Sequence, residues 1–508
     1  MSTTEKDNGL NRAKTYQLIL FPLNNGATNV YYVLVLSYIA TFGANILTLG
    51  TMFASVMVTA MRLCDAITDP IIGALMDRTN GKFGKFRPFM VIGNIIMALS
   101  ILAMYELTPL IPATTMWARY VAFVGLYFIW VIGYTFQTSC TRSGQTVLTN
   151  DPKQRPLFTI FNTVGSLVGM GSIQFFAPIL AKSFKATGGY SSWEFFRTIA
   201  PIGIAISIAL TVLAIIGIWE KDQSKYFGIG GNKKEKVKLG EYLQIIKNNK
   251  PMQRLMVAGA GCKLAFSIAN NTTVLCMLYG CMMGDYDALY LPFMIIGYVF
   301  SVPFFLLTVR TSQKHGQRAS LLRYVSVATV CYIGVLALLI TWGHGAAFNL
   351  SIPGVNVYTI LFILFFGVGY GAFYATADMP IPMVADCSDY ETYRSGQYIP
   401  GIMGTLFSLV DKLVSSLAAT IVGIAVSIIG LSELPTQYTA YTPGMNTVVI
   451  VLFAIFPLIA GTATIIAMKG YTLTGAKMEE IQAVNAARRQ AIADGMSMED
   501  AMAQIKGI

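Results

Sequence analysis

The sequence predicts an all-α membrane protein of twelve transmembrane helices, arranged as two pseudo-symmetric bundles of six. Three observations carry this. Apolar runs of about twenty residues, long enough to cross a bilayer as a helix, recur along the whole chain. Only 12% of the 508 residues are charged and 55% are hydrophobic, against about 25% charged in a soluble domain. Lys and Arg also gather in alternate connections between the runs, the asymmetry that orients membrane helices. A membrane β-barrel would instead show short alternating segments, which the sequence lacks.

The elements follow in order. Residues 1–16 are polar, with no evident cleavable signal peptide. Runs at 17–42, 47–77, 88–107, 117–146, 157–182 and 198–219 make a first bundle, 17–219. A basic segment, 220–254, divides six runs from six. Runs at 255–281, 287–309, 319–341, 356–384, 400–430 and 446–468 make a second bundle, 255–468. The tail, 469–508, contains KMEEIQAVNAARRQAIADG, a predicted surface helix. The connections DRTNGKFGKFRP, TNDPKQRP, RTSQKHGQR, DYETYRSG and 220–254 form a set rich in Lys and Arg. Those on the other side, among them FGAN and GDYDA, nearly lack them, with AKSFKATGGYSSWEFFR the exception. The basic set and both termini are therefore expected on the cytoplasmic side of the cell membrane.

The net charge of +11 would suggest nucleic acid in a soluble chain. Here the bases sit between apolar runs, so the expected partners are lipid and a small solute, with no nucleic acid and a monomeric state. Seven cysteines without a CxxC pair read as buried small residues rather than a disulfide framework. His315 and His344 fall in predicted loops, leaving the bundle no histidine ligand for haem or zinc. No Walker A sequence and no selectivity filter is present. A membrane enzyme and a channel are thus less favoured than a secondary transporter, with no cofactor beyond a coupling ion.

Charges at membrane depth are costly and face a cavity or a partner. The candidates are Arg62, Asp65, Asp69, Arg142, Lys263, Asp378, Asp411 and Lys412. Lys263 and Asp378 fall near the ends of their runs, where snorkelling explains a charge as readily as function does. In RLCDAITDP the four-residue spacing puts Asp65 and Asp69 on one helix face, with Arg62 three residues before Asp65. Stacked carboxylates repel unless a cation or proton lies between them. Their hard oxygens suit a small cation such as sodium, while a purely structural Arg–Asp brace is the rival explanation.

Two further patterns identify the relatives. GALMDRTNGKFGKFRP (Gly73–Pro88) has a weaker counterpart, VRTSQKHGQRA (Val309–Ala319), after the second helix of the other half. Two parallel six-helix halves with this motif resemble the major facilitator superfamily. DAITDPIIGALMDRTNGKFGKFRPF, YFIWVIGYTFQ, and MVADCSDYETYRSG continuing without gaps to LFSLVDKLVSS resemble the glycoside–pentoside–hexuronide:cation symporters. The resemblance implies cation-coupled transport of a glycoside-like solute by alternating access. It implies a cation site at Asp65 and Asp69, assisted by Thr135 in GYTF, with Lys412 coupling cation to sugar. The family's asparagine before the second aspartate is Thr68 here, which leaves sodium and proton both open. Asp77 and Arg78 fall at the superfamily's conformational lock.

In the melibiose-type members the sugar is held by two aspartates and a tryptophan, which align with Asn29, Thr138 and Arg142. Losing two carboxylates and gaining a guanidinium favours an anionic solute: a uronide, a sulfonated sugar or another organic acid. An exchanger or facilitator for a small organic acid is the alternative. Arg142 could equally pair with Asp411. Asn24, Asn25 and Asn29 form a polar strip for hydroxyls or for helix association, and Tyr31 and Tyr134 are candidate walls.

Overall fold

The computed structural model describes residues 12–79, 81, 83–148, 155–223, 247–341, 356–377, 379–396 and 400–505. The described residues form eleven helices long and apolar enough to span a membrane, and one bent pair that qualifies together. In chain order the spans are α1 Thr15–Ile46, α2 Thr51–Arg78, α3 Arg87–Leu110, α4 Met116–Leu148, α5 Arg155–Ser183 and α6 Trp193–Ile218. The second set is α7 (Lys250–Ala269 with Thr272–Met282), α8 Tyr286–His315, α9 Gln317–Thr341, α10 Val357–Thr376, α11 Pro400–Ile428 and α12 Met445–Lys469. The apolar runs thus mark the spans to within a few residues.

Two departures have physical causes. The run expected at 356–384 stops at Thr376, and a separate helix, Pro380–Ser395, follows. Pro380 has no N–H to donate back to a preceding helical turn, so the chain restarts there with proline in the first turn. DYETYRSG, expected as a connection, closes that helix, and Gly396 ends it in the left-handed region at φ 74°. The second departure is a 48° bend in α7 at Asn270–Asn271. The Asn271 side chain accepts from the Thr273 backbone N–H at 3.0 Å and so caps the restarted helix.

Two compact units are resolved by packing: Met1–Lys234 with Val426–Tyr438, and Glu235–Ala425 with Thr439–Ile508. Segment Val426–Tyr438 joins the first unit through Asn45. That side chain donates to Leu434 O at 2.9 Å and accepts from Leu434 N at 3.0 Å.

The same pairings recur in each unit. In the first, α4 packs on α2 and α3, and α6 on α1 and α3. In the second, α10 packs on α8 and α9, and α12 on α7 and α9. The close backbone approach of α1 and α5 requires glycine. A Cβ on Gly26 would lie 2.5 Å from Gly165 O.

The repeated motif has the same mechanical role in each unit. In the first, Asp222 just beyond α6 is fully buried. Its carboxylate accepts backbone N–H groups from Lys85 at 2.7 Å, Phe86 at 3.0 Å and Arg87 at 3.0 Å, with Arg87 Nε at 3.3 Å. The acid sits where α3 begins, so the helix dipole favours it. Gly84, at φ 86°, leaves the space this carboxylate fills. In the second unit Arg318 grips the end of α12, donating to Met468 O at 2.7 Å and Lys469 O at 2.9 Å. Here too a left-handed glycine, Gly316 at φ 83°, precedes it. Asp77 and Arg78 end α2, but their side chains lie outside the described residues.

The predicted tail helix is present as Gly475–Ala493. It docks on Pro380–Ser395, where Asn485 donates to Asp389 O at 2.9 Å and Tyr393 donates to Glu480 at 3.0 Å.

Candidate functional site

On α2 the three charges of RLCDAITDP fall in one stretch of helix. Asp65 is 1% exposed. Its Oδ1 accepts the Thr135 hydroxyl from α4 at 2.8 Å, and Arg62 NH1 lies 3.6 Å from Oδ2. Thr68 donates to Asp65 O at 3.1 Å, and its Oγ1 lies 3.1 Å from Thr135 Oγ1. Asp65, Thr68 and Thr135 therefore meet. Asp69 follows one turn later and is half-buried. A hydroxyl that donates to a carboxylate still presents its own lone pairs, so this cluster offers several hard oxygens. The formal charges of Arg62, Asp65 and Asp69 sum to −1, which one monovalent cation or proton neutralises.

Arg62 lies against two rings. Its guanidinium carbon is 4.9 Å from the Tyr32 centroid and 5.4 Å from Tyr134, a cation–π arrangement that stabilises a charge drawn out of water. Tyr134 stacks in turn on Trp130 at 5.2 Å, with Tyr127 beyond at 5.9 Å. The Tyr127 hydroxyl and Trp130 Nε1 are both buried without a hydrogen-bond partner among the described residues.

The asparagine strip of α1 divides into two faces. Asn24, Thr28 and Tyr31 form a buried one. Asn24 donates to Thr141 at 2.8 Å and Gln137 O at 3.1 Å, and Thr28 donates to Gln137 at 3.0 Å. Tyr31 is fully buried against Asn94, to which it donates at 3.3 Å. It is a packing residue and not a wall, because the helix turns it onto α3 and α6. Asn25, Asn29 and Tyr32 form the second face, all half-buried. Asn29 donates to Asn25 Oδ1 at 3.0 Å, and Asn25 to Asn162 O on α5 at 3.3 Å. Tyr32 was missed in the sequence, although it is the next residue on the helical face that begins at Asn25 and Asn29.

Thr138 is half-buried on α4 and its hydroxyl returns to Tyr134 O and Thr135 O of its own helix. Arg142 follows one turn on, and its side chain lies outside the described residues, as does Asp378. In the second unit Asp411 accepts Lys263 Nζ at 2.8 Å. Its ionic partner among the described residues is thus on α7. Lys263 is the fourteenth residue of Lys250–Ala269 and not an end residue that snorkels. Lys412, next to Asp411, is half-buried.

The comparisons with known proteins extend this picture. Residues 21–475 match the MFS/sugar transport protein family. The uncharacterized symporter YnaJ of Bacillus subtilis is 23% identical, covering 90% of this chain and 91% of its own. The glucuronide carrier protein homolog of Escherichia coli is 23% identical, covering 93% and 96%. Among solved structures, a bacterial homologue of the human lysosomal transporter Spinster superposes with a TM-score of 0.58 at 12% identity, covering 90% of this chain and 98% of that one. At that identity the match speaks for the fold alone, and the fold is a transporter's. An enzyme's role is set aside by the same comparisons. Its motifs resemble the glycoside–pentoside–hexuronide:cation symporters, and because the family match enters in the first span and leaves just past the last, this chain belongs to the MFS/sugar transport protein family.

Proposed function

We propose that the protein is a cation-coupled symporter that carries a glycoside-like, anionic solute across the cell membrane by alternating access. The observation that carries the coupling is Asp65, a carboxylate 1% exposed on a membrane helix and held by Thr135 from a second helix. A buried charge of this kind is costly. Its retention among hydroxyls, with Asp69 one turn away, makes sense where a sodium ion or proton is taken up and released. On this reading the first half contributes Asn25, Asn29, Tyr134, Thr138 and Arg142 to solute recognition, and the second half contributes Asp411 and Lys412. Their amides and hydroxyls suit sugar hydroxyls, and the surplus of basic groups suits an acidic substituent. Both termini lie on the cytoplasmic side, where the basic connections gather.

The test is uptake by the reconstituted protein. Proteoliposomes are offered methyl β-D-glucuronide and methyl β-D-glucoside under a sodium gradient, a proton gradient or neither. The proposal expects concentrative uptake of the uronide under one gradient only. Equal uptake with and without gradients removes the coupling claim, and uptake of the glucoside in preference removes the anionic claim.

A further inference from the structure

We infer that Lys263, in ion pair with Asp411, is the group in the second half of the chain that recognises the acidic substituent of the solute. The inference rests on the anionic reading above and adds a residue to it. Lys263 Nζ lies 2.8 Å from Asp411 Oδ2, between α7 and α11. Both residues are well inside their helices.

A pair that only braced two helices would be sealed from water. This one is not: the side chains are 38% and 15% exposed. An exposed charge at membrane depth faces a water-filled space, because hydrocarbon would penalise it. Asp411 also stands away from the apolar stripe of α11, where Leu417, Ile424 and Ile428 are exposed. Six residues separate it from Leu417, about 120° around the helix. Lys412 is about 100° from Asp411 and presents its charge in a different direction. The formal charges of Lys263, Asp411 and Lys412 sum to +1, so this part of the second half is basic.

One turn along α7 from Lys263, Phe266 stacks on Tyr374 of α10 at 5.4 Å. Tyr374 is half-buried and also stacks on Tyr370 at 5.9 Å. An ammonium and a carboxylate beside this aromatic cluster suit a uronide: the ammonium takes the acid and the carboxylate accepts ring hydroxyls. In the solute-free pair Asp411 holds the ammonium in place. The solute's carboxylate or sulfonate then competes with Asp411 for the ammonium.

The experiment measures apparent affinities of methyl β-D-glucuronide and methyl β-D-glucoside for the full chain in detergent, from the ligand-dependent rise in Tm. The proteins are the wild type, Lys263→Gln, and the double variant Lys263→Gln with Asp411→Asn, which leaves no uncompensated charge if the single variant is unstable. The expected result is a preference of the wild type for the uronide and a loss of about ten- to a hundredfold in uronide affinity in both variants. Glucoside affinity should change far less in Lys263→Gln. A wild type that prefers the uronide, with variants that keep the preference, overturns the role of Lys263 and leaves the anionic reading standing. A wild type that prefers the glucoside, or binds neither, overturns both. Full recovery of uronide affinity in the double variant shows a brace and also overturns the inference.

Discussion

Thr135 on α4 donates its hydroxyl hydrogen to Asp65 on α2 at 2.8 Å, seventy residues away in sequence. The bond ties the carboxylate to a second helix while leaving the threonine's lone pairs, and those of Thr68 3.1 Å away, facing the same cluster. Removing the hydroxyl therefore costs the site an oxygen as well as a restraint. Thr135→Val should weaken the apparent affinity for the coupling cation about tenfold, as expected for a hydrogen bond to a charged group. Thr135→Ser should keep most of it. Cation dependence of solute uptake measures both.

Asp222 and the loop before α3 form a single mechanical joint. The carboxylate satisfies three backbone N–H groups and the Arg87 side chain. Asp222→Ala strands those donors and should destabilise the protein by about 2–4 kcal/mol. Gly84→Ala should be comparably damaging, since its Cβ would meet that carboxylate at a positive φ. Thermal unfolding in detergent checks both, and a Tm within a degree of wild type would dismiss the joint.

Asp386, on the Pro380–Ser395 helix outside the spans, is pushed up to about 6 by burial and then by the neighbouring Asp389 carboxylate. Its unfolded value is about 3.9. Folded above unfolded means a stability contribution that is full below pH ~4 and is lost as pH rises through about 6. Asp386→Asn abolishes that dependence. The variant should be more stable than wild type at pH 8, with the difference shrinking by pH 4, as read by Tm across the range. A difference independent of pH would refute the assignment.

The ladder of spans was legible because the bilayer demands long apolar runs whatever their packing. Asp65 and Asp69 stood out because charge at membrane depth has few uses, whereas Thr68 and Thr135 were named only through the resemblance to the symporter family; Asp65, Thr68 and Thr135 lie together. The break before Pro380 was missed, although the proline carried the signal, because apolar character continued through it to Val384. Tyr31 was named and Tyr32 was not, and only the phase of the helix separates the packed one from the half-buried one. Asp222 escaped notice because its partners are mainly backbone N–H groups some 135 residues away, which have no residue identity to read. The Lys263–Asp411 pair joins positions 148 residues apart, and in a single sequence nothing connects them.

The central claim is that Asp65 and Asp69 couple the solute to a cation, and accumulation against a gradient tests it most directly. Methyl β-D-glucuronide accumulation is measured in proteoliposomes under an imposed sodium or proton gradient for wild type, Asp65→Asn and Asp69→Asn. Gradient-free exchange of the same solute serves as the control for folding and binding. The account predicts that wild type concentrates the solute, whereas each variant exchanges it without concentrating it. Wild-type accumulation ratios in either variant would contradict it.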